Sequence, residues 1–138
     1  MGRFKYNRWF KPYGIYKGPR PASMSDFKGI DDLDLMNIED ILGCMDREEF
    51  LIFEYSGFDR MVAPFVLGVS SSGNPLLRGY QVEGNSKGGV GYGWRVYQVR
   101  EMSMVNRGWQ FFNIEDFKFD ALYPWTYKVY KTLSLEVS

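Results

Sequence analysis

Three arginines recur along a stretch of the chain that reads as β-structure: Arg60, Arg78 and Arg95. Tyr80, Gln81 and Tyr97 stand between and beside them. A guanidinium is planar and always charged, and its paired N–H groups match the oxygens of a phosphate. If the strands carrying these residues pair, two or three of the arginines converge on one face with Tyr80, Gln81 and Tyr97. That face would be an anion site with stacking surfaces. A structural alternative stands beside it, in which the arginines are solvated or salt-bridged to Asp59, Glu83 and Glu101. A glycine-rich segment, Gly84–Gly93, adds Ser86 and Lys87 and free backbone N–H groups that could cradle a phosphate. It lacks the Gly-Lys-Ser/Thr order of a phosphate loop and the spacing of a dinucleotide fingerprint. The alternative for this segment is a flexible hairpin loop.

Residues for covalent or acid–base chemistry are scarce. The chain has no histidine, which removes histidine-dependent triads, histidine-containing zinc sites and histidine pH switching. Ser70-Ser71-Ser72 falls in a turn with no base to activate it. The single Cys44 cannot form an internal disulfide, which fits a reducing compartment, and it lies within or beside an apolar helix face, where a thiol is inert. Asp31-Asp32-Leu33-Asp34 lacks the order and closing glutamate of a calcium loop. It reads instead as a solvated acidic surface that pairs with the basic arm of residues 1–21. The residues therefore predict a binding protein and no enzyme, with no metal and no cofactor.

The elements that must position these residues are those of one domain of 138 residues, mainly β with some helix (α+β), as a small barrel or sheet. Aromatic residues make up 18% of the chain, a bias that favours strands. Equal counts of acidic and basic residues give zero net charge, so bulk electrostatics point to neither nucleic acid nor membrane. The charge is nonetheless segregated. Residues 1–21 form an arm of basic and aromatic residues without an acid, and residues 22–138 form the β domain. Within that domain residues 26–49 are strongly acidic. Rings that stack on bases and cations that track phosphates suit single-stranded nucleic acid. The other reading of the arm packs its rings on the domain and its charges on the acidic segment. No run approaches the ~18 apolar residues of a membrane span, and no signal-peptide core is visible, so a cytoplasmic protein without membrane contact is expected.

Residues 37–47 read as one short helix, with Asn37 as its N-cap and Ile38, Ile41, Leu42 and Met45 on one face. Strands are expected at Phe50–Tyr55, Arg60–Val69, Leu76–Val82 and Trp94–Val99. Pro64 predicts a bend or an edge position in the second of these. Arg107-Gly108 reads as a turn before a strand at Trp109–Phe112. Asn113 reads as a second helix start, and Tyr127–Val137 as a last strand paired on both sides.

The run Arg60-x-Val62-x-Pro64-x-x-Leu67-Gly68, then Leu77-x-Gly79-Tyr80, then Trp94-Arg95-x-Tyr97-x-Val99, resembles the WYL domain family over about residues 38–105. The family's naming tripeptide falls at Pro75-Leu76-Leu77, where only its leucine is kept, and no helix-turn-helix segment is visible. The resemblance implies a small SH3-like barrel with one short N-terminal helix, here extended by a C-terminal strand. It implies a ligand sensor that recognises a nucleotide or nucleic acid, in regulatory or phage-defence settings. Arg60, Pro64, Gly79, Tyr80, Arg95 and Tyr97 carry over from the family pattern.

Two functions follow as expectations. The first is a non-enzymatic binder of a phosphate-bearing ligand, a nucleotide or single-stranded nucleic acid. The second is a protein–protein interaction module, such as a phage-encoded inhibitor of a host protein, which contacts a partner or a second copy through aromatic surfaces.

Overall fold

A computed structural model describes residues 20–86, 89–118 and 128–133. In chain order the elements are β1 (Arg20–Pro21), α1 (Asp32–Arg47), β2 (Glu49–Tyr55), β3 (Phe58–Val69), β4 (Pro75–Ser86), β5 (Gly89–Val90), β6 (Gly93–Gln98), β7 (Ser103–Phe111) and β8 (Lys128–Thr132). Three-residue 3₁₀ turns occur at Met24–Asp26, Val99–Glu101 and Ile114–Asp116. The fold is mainly antiparallel β with one α-helix, as the composition and turn spacing predict.

Strand β3 organises the sheet. β4 pairs with it from Arg60 to Val69 on one side. Its other side is shared: β2 pairs along Phe58–Val62 and β8 along Val66–Val69. Pro64 lies where β3 passes from one partner to the other, so its missing N–H breaks no ladder bond there. A bulge between Pro64 and Val66 bends the strand at the same place. Flanked along its length, β3 is buried from Arg60 to Val69. β4 carries β6 and the short β5 on its far side, β2 carries β7, and β8 pairs with both β3 and β1. Among the described residues no ladder joins the ends of this sheet into a closed barrel.

The helix begins earlier than its apolar spacing suggests. Asp31 is the N-cap and accepts from Asp34 N at 2.8 Å, while the Asp34 carboxylate accepts from Asp31 N at 3.2 Å. This reciprocal capping box satisfies two free N–H groups at the helix start. The acidic run is thus in part a helix-initiation signal, and Asp34 also pairs with Arg100 at 3.6 Å. Asn37 is no cap. It is buried inside α1, where its amide donates to Met102 O at 3.4 Å. Ile38, Ile41, Cys44 and Met45 face the core, and α1 packs on β2, β3 and β7. Asn113 caps only the 3₁₀ turn Ile114–Asp116, so its likeness to the Asn37 segment is one of sequence alone.

Other boundaries shift for local reasons. β4 continues past Val82 to Ser86 and pairs with β5, so Gly84–Gly93 is largely a β-hairpin folded back on itself. Lys87 and Gly88 lie outside the described residues. Val99 leaves the fourth predicted strand and starts a 3₁₀ turn. Arg107-Gly108 is no turn. β7 continues through it with a bulge, since the register to β2 shifts between Arg107 and Phe111 and Trp109 has a φ of 59, and glycine is needed because a Cβ at 108 would sit 2.7 Å from Phe50 O. β8 covers Lys128–Thr132, with Val129, Thr132 and Leu133 buried. The residues of the N-terminal arm before Arg20 lie outside the described residues. No helix among those described is long and apolar enough to cross a membrane.

Candidate functional site

Strand alternation on β4 and β6 decides which candidate residues meet. The register pairs Gly79 with Arg95, Leu77 with Tyr97, and Gln81 with Gly93. Gly79, Gln81, Arg95 and Tyr97 therefore share one face. Arg60 joins them from β3, since its partner Phe53 packs edge-on against Tyr97 at 5.0 Å between ring centroids. A bulge at Val82 lets Gln81 keep this face while Glu83 turns to the other.

At the centre lies Gln81, fully buried. Its Oε1 accepts from the Tyr97 hydroxyl at 2.6 Å and from Arg60 Nη1 at 3.2 Å. Arg60, only 6% exposed, also donates from Nη2 to Tyr55 O at 3.0 Å and stacks its guanidinium over the Tyr55 ring at 5.4 Å. Tyr55 in turn packs edge-on against Tyr97 at 5.1 Å, and its hydroxyl accepts from Gln98 N. Burial pushes the Tyr97 phenol up to about 12, with the positive charges of Arg60 and Arg95 acting against it. Tyr97 is thus a neutral donor with two guanidiniums close enough to act on it.

Arg95 is the outlying member. Among the described residues it makes no hydrogen bond or ion pair, and its Nε is sealed from solvent without an acceptor. Gly91 covers it: a Cβ there would sit 2.3 Å from an Arg95 terminal nitrogen and 3.0 Å from Gln81 Nε2. Arg60 Nε and Gln81 Nε2 are likewise buried without an acceptor. The cluster is therefore rich in donors, carries two positive charges and includes no carboxylate. The salt bridges from Asp59, Glu83 and Glu101 that the sequence allows are not made by Arg60 or Arg95.

Arg78 and Tyr80 do not join this cluster. Alternation puts them on the opposite face of β4, where the Arg78 guanidinium stacks over the Trp94 ring at 4.9 Å. Tyr80 packs on Trp94 and Phe117 with centroids 5.4 and 5.0 Å apart. Phe65 reaches the same aromatic group. Ser86 lies in β4 beside β5, and its neighbour Lys87 lies outside the described residues.

Sequence reading missed Tyr55 and Gly91 as parts of the cluster. Alternation in Phe50–Tyr55 was the available signal for Tyr55, because it puts Phe53 and Tyr55 on one face. Gly91 had no such signal among its neighbouring glycines. Glu49 was missed as well. It is a fully buried carboxylate that accepts from Arg47 Nε at 2.7 Å, from Arg107 Nε at 2.9 Å and from Trp109 N at 2.9 Å. Among the described residues no group of acidic or cysteine side chains is arranged to hold a metal ion. Compared with known proteins, the chain matches no family model, no curated protein and no solved structure.

Proposed function

We propose that this protein is a non-enzymatic binder of a phosphate-bearing ligand, a nucleotide or a short single strand, and that Arg60, Gln81, Arg95 and Tyr97 contact the anion. One observation carries the reading. Two guanidiniums converge on one phenol and one amide, and three buried nitrogens there have no acceptor among the described residues. An unsatisfied buried donor costs on the order of 1–3 kcal/mol. An anion would supply the acceptors and the countercharge together. The resemblance of the strand arginine and tyrosine positions to WYL domains points the same way, and a regulatory or phage–host role would follow from it. Arg78 and Tyr80 are left out of the contact set, because they face the other side of β4.

The test is calorimetry and thermal shift of the full chain against inorganic phosphate, mono- and cyclic nucleotides, and short single strands. A ligand that binds the native state raises the melting temperature with its concentration. The expected outcome is saturable binding that Arg60→Gln combined with Arg95→Gln removes. Binding unchanged in that pair of substitutions would refute the assignment.

A second reading has its own observation. Met104, Trp109 and Phe111 on β7 are 76%, 68% and 62% exposed, and β7 pairs only with β2 among the described residues. Such side chains suit contact with another protein or a second copy. Light scattering after size exclusion would show a dimer if the copies themselves are the partner.

A further inference from the structure

A groove of about 520 Å³ is lined by residues of β2, β3, β4 and β7, a volume that suits a small organic ligand. Arg60 and Phe53 are part of its lining, and both also pack within the arginine cluster, so groove and cluster share a wall. Arg60 is the polar joint between them. It is only 6% exposed, and its Nε is buried without an acceptor among the described residues.

Away from Arg60 the lining changes character. Ile52, Met61 and Met104 give the groove apolar surface, with Ile52 39% and Met104 76% exposed. Glu54, Asp59 and Glu83 line it as well. Glu54 and Asp59 are direct cross-strand partners, an arrangement in which like charges repel. Glu83 stands opposite Met61, next to the bulge at Val82. Among the described residues none of the three carboxylates is in an ion pair. The groove therefore combines one buried guanidinium, an open apolar surface and three unpaired acceptors.

A ligand held by its phosphate at Arg60 places the rest of itself against those carboxylates. A second phosphate there would meet like charge, which works against binding. A group with N–H donors would satisfy the carboxylates instead, through charge-assisted hydrogen bonds. A flat ring suits the apolar surface, and methionine side chains adapt to its shape. We propose that the groove takes the base of a nucleoside monophosphate, and that Glu54, Asp59 and Glu83 accept from the exocyclic amine of that base, as carboxylates do from cytosine. The inference rests on the phosphate-binding reading and sharpens it. The ligand is a mononucleotide with an amino-bearing base, and neither a polyphosphate nor an extended single strand.

Calorimetry of the full chain with matched nucleotides tests it. CMP and UMP differ at the amine, and AMP and IMP make a second such pair. The amino member of each pair should bind about tenfold more tightly, and ADP and a short oligonucleotide should bind more weakly than AMP. Glu54→Lys with Glu83→Lys should erase the preference within each pair. Both side chains are exposed, so the fold should tolerate the changes, which the melting temperature without ligand checks. Equal affinity within the pairs, tighter binding of ADP or the oligonucleotide, or a preference that survives the two substitutions would each overturn the inference and leave the phosphate site standing. Failure of the phosphate site reads differently. No nucleotide would bind, or binding would persist in Arg60→Gln with Arg95→Gln, and either result would remove both.

Discussion

Arg95 enters the domain with its Nε sealed from water and no acceptor among the described residues, a state that costs stability in the free protein. Arg95→Met keeps the stem and removes the guanidinium. It should stabilise the free protein by about 1 kcal/mol in urea unfolding, while removing the binding proposed for this site. A purely structural arginine would give the opposite sign in the unfolding experiment. Glu49 is the contrasting case, a buried carboxylate with every partner supplied. Burial pushes it up, but hydrogen bonds from Arg47, Arg107 and Trp109 N outweigh that and hold it below its ordinary 4.5. A lowered folded value means that its stabilisation is complete above the ordinary value and is lost as pH falls through the folded one. Glu49→Gln should cost about 2 kcal/mol at neutral pH and flatten the loss of stability below pH 4.5, as read from melting temperatures across a pH series. The residue types at both places were visible in the sequence. Their opposite circumstances were not, because Arg47, Arg107 and Trp109 reach Glu49 only after β2 and β7 have paired.

Element boundaries depended on how local their causes are. β2 and β3 were legible because alternation and the Ser56-Gly57 turn lie within a few residues of each other. The start of α1 was missed by reading Asn37 as the cap, although Asp31 and Asp34 already spell a reciprocal cap three residues apart. Gly108 resembled a turn residue, yet it answers to Phe50 O on a neighbouring strand, a contact fixed by register. Gly79 answers to a similar demand. A Cβ there would lie 2.5 Å from Val62 and 2.6 Å from Ala63 O, in the ladder between β3 and β4. Gly79→Ala should therefore cost about 1–3 kcal/mol as an overpacked site, measured by denaturant midpoint. Gly91→Ala makes a useful contrast. Its added methyl meets the far end of the Arg95 side chain, which can move, so the binding proposed for this site should weaken while stability changes little.

For the molecule as a whole, Cys44 reports on cooperativity. It is fully buried in the core between α1 and the sheet, and burial pushes its thiol from the ordinary 9.0 up to about 11. Alkylation should be negligible in native buffer and rise with denaturant in step with the loss of circular dichroism. Because the folded value is raised, stability should fall as pH climbs above 9.0 toward about 11, where the unfolded thiol ionises first. By itself the sequence determined the class of fold, the inert cysteine, the exclusion of histidine chemistry, and the face on which each β6 residue lies, since these follow from composition and a period of two. The tertiary structure decided which arginines meet. Arg60 and Arg95 share Gln81 and Tyr97 because the β3–β4–β6 register brings them there, while Arg78, an odd number of residues from Gln81 on the same strand, must face the other way. It also decided that Glu83 joins Glu54 and Asp59 along one groove, because one inserted residue at Val82 turns Glu83 to the face opposite Gln81.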